Sequence, residues 1–357
     1  MSNFPKKNTS VPQDTPFQEK VAYQVQLLHN RLAKRFQHLR KWARRSDIGC
    51  YRLYDKDIPE IPLAIDVFHL QNEDSLPTKN ENHQDSYLRI YLYQRPYERD
   101  EGEEECWLAA MSQAAAQVVG VDTSHVVTKT RMRQRGTDQY EKQETQDSIT
   151  GIVREQGHRF FVNLSNYLDT GLFMDHRPLR KQVEAEAGGK ALLNLFCYTA
   201  SFSVYGAVGG ASRVDSVDLS NTYLAWGERN FALNGLGGRP EYRFIRRDVA
   251  TFLKDTKDSW DLIVLDPPTF SNSKKTKDSL DINRDWHRLV NGCLDHLNPG
   301  GTLYFSTNSR QLKFDAELLA ASKNDGEIVV EDITAATIPE DFRNQKIHRC
   351  WKISLKS

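Results

Sequence analysis

Four short runs, "KALLNLF", "RVDSVDLS", "EYRFIRRD" and "WDLIVLD", close on Asn194, Asp218, Asp248 and Asp266. The last of them continues as "VLDPPTFSNSKK", in which Pro267 and Pro268 follow the carboxylate directly. Two successive prolines have no backbone N–H to donate, so a strand carrying them stops there. In an open α/β sheet, ligands bind at the carboxyl ends of the strands. One amide and three carboxylates at consecutive strand ends therefore predict a row of hydrogen-bonding groups along one edge. Asp218 stands 24 residues after Asn194, where an acid takes both hydroxyls of a ribose. Asp248 is placed for an exocyclic amine. Thr199 and Ser201 are expected to cap the next helix, whose free amides suit an anionic group. Singly, each of these residues reads as a cap or a surface group; together they predict a nucleoside site.

No G-x-G-x-x-G follows the first of these strands, since "VYGAVGGA" (204–211) lies too far along, and no phosphate-cradling G-x-x-x-x-G-K-[ST] occurs. S-adenosylmethionine has a ribose and an adenine but no phosphates, and it needs neither motif. The absent dinucleotide fingerprint also weighs against a metabolic oxidoreductase.

These strands alternate with helical stretches from about residue 185, which implies right-handed crossovers and a mostly parallel sheet. "GTLYFSTN", "GEIVVEDI" and "KIHRCWKISL" read as further strands. Upstream, apolar residues from Val21 to Ala43 recur every three or four positions, predicting an amphipathic helix over 17–46 that Gly49 ends. Strands are expected at 61–71, 86–94 and 125–134, a helix at 106–120 stopped by Gly120, and a hairpin-like segment at 160–168. The resulting organisation is a disordered tail over 1–16, a basic helix with a small α+β module over 17–150, and a catalytic domain over 151–357.

Lysines and arginines equal acids at 48 each, yet the charge is unevenly spread. "RLAKRFQHLRKWARR" (31–45) holds seven basic residues and no acid, and "ERDEGEEE" (98–105) inverts the pattern. A basic run is commonly a solvated helix face. Here His, Phe and Trp are interleaved with it, as in surfaces that bind phosphates and stack bases. Arg35, Arg40, Lys41, Arg44 and Arg45 are the expected RNA contacts. The five cysteines are scattered without metal-ligand spacing, so no metal is expected and a reducing cytoplasm fits. No apolar run approaches the roughly 20 residues that span a bilayer, and the polar start is no secretory signal.

"LLNLFCYTASFSV", "VDSVDLS", "ERNFALNGL", "RRDVATFL" and "VLDPPTFSNSKK" resemble the class I methyltransferases that modify ribosomal RNA, most closely the branch that methylates guanine N7 of 23S rRNA. The likeness extends to "DIGCYRLYDKDIPEIPLAID" and "LDTGLFMDHRPLR", covering nearly all the chain from about residue 20. It implies a class I, Rossmann-like α/β fold with a mostly parallel seven-stranded sheet behind a small α+β domain. It also implies S-adenosyl-L-methionine as cofactor, and 23S rRNA or a large-subunit assembly intermediate as substrate. By resemblance, Asn194, Phe196, Cys197, Tyr198 and Thr199 line the methionine end, Asp218 and Leu219 the ribose, and Asp248 and Val249 the adenine edge. "GLFMDHR" packs over the cofactor through Phe173, Asp175 and Arg177, unless "DHRPLR" is instead a helix start held by salt bridges. The second methyltransferase to which this branch is often fused is absent, so this chain resembles a free-standing version, with or without a separate partner in that place.

Asp266, Pro267, Pro268 and Phe270 are the expected catalytic group: the prolines stiffen the corner and Phe270 offers a face to a base that is exposed or flipped out. Carbon-5 of a pyrimidine requires a cysteine nucleophile. By resemblance that cysteine follows the fifth strand, where this chain has Ser306, Thr307 and Asn308. Guanine N7 has a lone pair and no proton to remove. Cytosine C5 chemistry, exocyclic-amine chemistry and a non-catalytic RNA-binding assembly factor remain as alternatives.

Overall fold

The structure is a computed structural model that describes residues 16–72, 85–95, 100–131, 148–271, 280–319 and 327–356. Residues 1–15 of the expected tail, Glu98 and Arg99 of the acidic stretch, and Asn272–Lys275 of the Asp-Pro-Pro run lie outside them, as do residues 73–84 and 132–147.

Helix α1 (Phe17–Arg45) buries Leu28, Leu32, Phe36, Leu39 and Ala43 along one stripe. The stripe packs on β1 (Cys50–Asp55) and α2 (Glu101–Val119). Asp100 caps α2 by accepting from the Glu103 N–H, and Gly120 ends it at φ 82°. Strand β1 heads a four-stranded sheet with β2 (Leu63–His69), β3 (Ser86–Tyr93) and β4 (Val126–Arg131). The sequence does not suggest β1, because Arg52 interrupts its apolar pattern. In the fold Arg52 lies directly opposite Asp66 and pairs with it at 2.7 Å inside the sheet. Gly49 also does not end α1, which stops at Arg45. Its missing side chain instead lets the backbone approach Arg154, whose nitrogen would lie 3.0 Å from a Cβ.

The hairpin β5 (Thr150–Glu155) and β6 (His158–Asn163) leads through residues 164–176, which end in a single helical turn at Met174–His176, into α3 (Arg177–Glu186). There follow β7 (Ala191–Leu195), α4 (Ser201–Val208), β8 (Arg213–Asp218), α5 (Asn221–Leu233), β9 (Tyr242–Arg246), α6 (Val249–Asp255) and β10 (Trp260–Leu265). The chain closes with β11 (Phe270–Ser271), β12 (Leu280–Asp281), α7 (Ile282–Leu294), β13 (Leu297–Thr307), β14 (Glu327–Asp332), α8 (Thr334–Thr337) and β15 (Arg349–Lys356). Seven strands form one sheet in the order β14-β15-β13-β10-β7-β8-β9. Strand β15 runs antiparallel to both neighbours, and the other pairings are parallel. Apolar clusters cover both faces, with α4 on one side and α6 and α7 on the other.

Strand order reverses between β7 and β10, so the crevice of the sheet opens at their carboxyl ends. Beside it, Glu155 accepts from Arg177 Nε at 2.9 Å and from Arg180 Nε at 2.8 Å. Arg177 also pairs with Asp341 at 2.9 Å and donates to the Cys50 carbonyl. Burial alone would raise the Glu155 carboxyl, but the two guanidinium groups hold it below its ordinary range. Among the described residues, no helix is long and apolar enough to cross a membrane.

Candidate active site

After β7 the chain turns through Phe196, Tyr198 and Ala200 at φ of 54°, 51° and 60°. Left-handed backbone costs a residue with a side chain about 1–3 kcal/mol, and it persists where the surroundings impose it. Here the conformation of a glycine-rich turn is adopted by residues that are not glycine, which is why no glycine fingerprint marks it.

Neighbouring groups hold the turn. Cys197 N–H donates to Val217 O at 3.1 Å and Tyr198 N–H to Asp218 Oδ2 at 3.0 Å. The Thr199 hydroxyl donates to Gly171 O at 2.6 Å, and Asn230 Nδ2 donates to Thr199 O. Thr199 is therefore no helix cap, nor is Ser201: the cap position of α4 is Ala200, which makes no side-chain bond. Gly171 allows the crossing segment to come this close. Its φ is +99°, and a Cβ there would lie 2.2 Å from the Trp226 ring. The Tyr198 ring meets Phe173 at 5.0 Å and Tyr223 at 4.5 Å.

The strand-end residues divide into rim and core. Asp218 and Leu219 are half-buried at the end of β8. Asp218 accepts from Ser220 N–H through one oxygen and from Tyr198 N–H through the other, while burial pushes its carboxyl up. Asp248 caps α6, its Oδ1 accepting from the N–H and the hydroxyl of Thr251. Asn194 falls short of the rim: it is buried within β7, donating to Ser203 Oγ at 2.9 Å. Val249 turns its side chain into the apolar core at 2% exposure. Arg177 is 1% exposed and fully engaged by Glu155, Asp341 and Cys50, so it belongs to the helix start held by salt bridges. Cys197 is buried under the turn.

Asp266 follows β10, its side chain 25% exposed. Pro267 is buried and Pro268 half-buried. Thr269 donates to Asn308 Oδ1 at 2.6 Å, and β11 pairs with β12, which anchors Phe270 while 59% of that residue stays exposed. Phe173 is 42% exposed.

The sequence alone does not single out His176 and His348, because they lie far apart in the chain. His176 Nε2 stands 3.3 Å from Asp266 Oδ2 and 3.8 Å from Asp175 Oδ2. His348 Nδ1 stands 3.3 Å from Asp175 Oδ2, and its Nε2 is 2.9 Å from Thr337 Oγ1. Asp175 is desolvated, yet the hydrogen bond that His348 donates holds its carboxyl below the usual range. An ionised carboxylate only accepts, so His348 carries its proton on Nδ1. Asp175, His176 and His348 bring one ligand atom each within 4.8 Å of one another.

Ser306 and Thr307, on β13, are buried, and no thiol stands at the end of this strand. Cys350 faces Ser306 across the sheet. Burial pushes the thiols of Cys197, Cys293 and Cys350 up, keeping them protonated.

Away from the crevice, Lys34, Gln37, His38, Lys41, Arg44 and Arg45 line a groove of about 440 Å³ on α1. Lys41, Arg44 and Arg45 are exposed there, and Arg40 is exposed with its guanidinium 5.8 Å from the Phe36 ring centre. Arg35 does not belong to this face: it donates to Asp341 O at 2.8 Å and is tied into the fold. Lys34 takes its place in the groove. His38 contacts Glu340 at 2.9 Å, next to Asp341 and so one ion pair from Arg177.

The family of S-adenosylmethionine-dependent methyltransferases matches residues 82–337. The chain is 44% identical to ribosomal RNA large subunit methyltransferase K of Neisseria meningitidis over 355 residues, covering 97% of this chain and 92% of that protein. It is 45% identical to ribosomal RNA large subunit methyltransferase K/L of Pseudomonas putida over 93% of this chain but only 42% of the relative, so it spans less than half of the K/L proteins it matches. Among solved structures it is similar to SMU.776, crystallised complexed with SAH, with a TM-score of 0.68 at 21% identity over 93% of this chain and 82% of that one. A fold likeness at that identity speaks for the architecture alone. The family match extends from the small sheet through the whole β7–β10 crevice, and the chain belongs to the S-adenosylmethionine-dependent methyltransferases.

Proposed function

We propose that this chain transfers a methyl group from S-adenosylmethionine to N7 of a guanine in 23S rRNA. The rRNA substrate is supported by the names of the relatives that match nearly end to end. The choice of atom rests chiefly on the corner Asp266-Pro267-Pro268, which presents a carboxylate four residues before an exposed Phe270, while burial keeps the Cys350 thiol protonated.

The turn after β7 fits the cofactor. It carries no phosphate loop, and Asp218 stands at the rim with lone pairs left for ribose hydroxyls. We assign Phe196, Tyr198 and Thr199 to shaping the methionine end, Asp218 and Leu219 to the ribose, and the second oxygen of Asp248 to the adenine amine. Phe173, packed against the Tyr198 ring, closes that end. When bound, S-adenosylmethionine supplies an electrophilic methyl on a sulfonium.

Guanine N7 meets that carbon in line, so placing the base accounts for much of the rate. The S–C bond breaks with its electron pair left on sulfur while the C–N7 bond forms. Positive charge moves onto the purine and no proton is lost. Asp266 faces that growing charge, Pro267 and Pro268 fix the corner, and Phe270 stacks on the base, a contact worth about 1–3 kcal/mol. We assign residues 17–150 to holding RNA, with Arg40, Lys41, Arg44 and Arg45 as phosphate contacts joined by Lys34, and residues 151–357 to catalysis. Incubating the purified chain with unmodified 23S rRNA and methyl-labelled cofactor, then digesting to nucleosides, tests this reading. Label in N7-methylguanosine is expected; label only in 5-methylcytidine or an N2-methylated guanosine would refute it.

A further inference from the structure

We propose that His176 is a positioning residue for this transfer, whose neutral Nε2–H form fixes the Asp266 carboxylate in the orientation that receives the purine. The inference rests on the N7 reading above. His176 is 6% exposed, and its ring is stacked on His348 at 4.6 Å and 15° and tilted against Phe202 at 5.8 Å, so it cannot swing without displacing both. Its Nε2 stands nearest Asp266, at 3.3 Å and so just beyond ordinary hydrogen-bond length, and 3.8 Å from Asp175. Its Nδ1 is buried with no hydrogen-bond partner among the described residues. An orphaned N–H is costly in a dry setting, and two carboxylates face the other nitrogen, so the proton sits on Nε2 and Nδ1 keeps its lone pair.

The charged groups around the ring come from several elements. Asp175 precedes it on the same turn, Asp266 follows β10, His348 precedes β15, and Arg180 on α3 is already held by Glu155 and by the Phe173 carbonyl. Phe202 of α4 adds no charge. Burial disfavours the imidazolium more than the two carboxylates favour it, so the ring stays neutral. Behind it, Thr337 holds His348 and His348 holds Asp175. Asp266 is thus the outermost link of a chain that begins in α8.

A neutral donor suits this reaction. Positive charge is present on sulfur before transfer and on the purine after it. An imidazolium, lysine or arginine in contact with Asp266 would offset the field this carboxylate exerts on the reacting atoms. An uncharged N–H fixes the carboxylate and leaves its charge in place.

The test combines two variants with one measurement on the wild-type chain. H176F keeps the ring stacking and removes the donor, and H176Q restores an N–H of similar reach. For H176F, kcat on 23S rRNA is expected to fall about 10- to 100-fold with the KM for S-adenosylmethionine within about two-fold, and H176Q should regain most of the loss. Nitrogen-15 NMR of the wild-type imidazoles should find His176 protonated on Nε2 at neutral pH, and this holds as a test even where H176F does not fold. Full kcat in folded H176F, or an Nδ1–H tautomer, would overturn the proposal. Wild-type transfer measured in parallel separates the two ideas. An inactive wild-type chain refutes the N7 reading, whereas an active one matched by H176F refutes only the role of His176.

Discussion

The backbone N–H of Tyr198 donates to Oδ2 of Asp218 at 3.0 Å, so the acid at the end of β8 braces the left-handed turn that leaves β7. One side chain thereby shapes the turn and offers its remaining lone pairs to a ribose. Asp218→Ala removes both contributions. Cofactor affinity by calorimetry is expected to drop about 10- to 100-fold, the worth of one or two hydrogen bonds to a charged group. Circular dichroism should show an intact fold, and unchanged affinity would place the ribose elsewhere.

Strain in the same turn has a signature at Ala200, which is fully buried at φ 60°. Ala200→Gly relieves left-handed strain and loses one buried methyl, two effects of about 1 kcal/mol each. The melting temperature should barely move. Ala200→Val puts a branched side chain into a disfavoured backbone conformation and against Gly227, where the packing is already tight. A loss of about 3 kcal/mol or more is expected by chemical denaturation.

Glu155 is 0% exposed between Arg177 and Arg180. Glu155→Gln leaves two buried guanidinium groups short of a counter-charge, which is expected to cost about 3–5 kcal/mol. Its carboxyl is held below its ordinary value of 4.5. The stabilisation is therefore present above that pH and is lost as the pH falls through the lower folded value. Asp341 moves the opposite way, because burial outweighs its single guanidinium partner. The variant should lose part of the wild-type's steepening instability in acid, as read from denaturant midpoints between pH 3 and pH 6 (about the carboxylate range).

Much of this architecture is legible in the sequence because the parallel strands are apolar runs ending in polar punctuation. The seven-stranded sheet and the amphipathic stripe of α1 follow from that pattern. The depth of a residue within a strand end is harder to read. Asn194 and Asp218 close similar runs, yet one bonds to Ser203 inside the core and the other stands at the rim. Long-range pairing is not visible at all. The stacking of His176 on His348, the burial of Arg177 between two acids, and the Arg52–Asp66 pair that permits β1 all depend on elements meeting in space. Arg35 shows the same limit, since its place in a basic run conceals a bond to the Asp341 carbonyl.

Replacing Lys34, Lys41, Arg44 and Arg45 with glutamine should weaken RNA binding. The slope of log affinity against log salt should flatten by about 0.7–0.9 for each phosphate that is no longer neutralised. Arg35→Gln should instead lower the melting temperature and leave the slope unchanged. Filter binding across a salt series distinguishes the two. An unchanged slope in the quadruple variant would remove α1 from the RNA path.

The most direct measurement is nucleoside mass spectrometry of 23S rRNA from a strain lacking this protein, complemented with the wild-type chain or with Asp266→Ala. One N7-methylguanosine is expected to vanish on deletion, return with the wild-type chain, and stay missing or strongly reduced with the variant. Full retention of N7-methylguanosine in the deletion strain would contradict the assignment of this crevice to guanine N7.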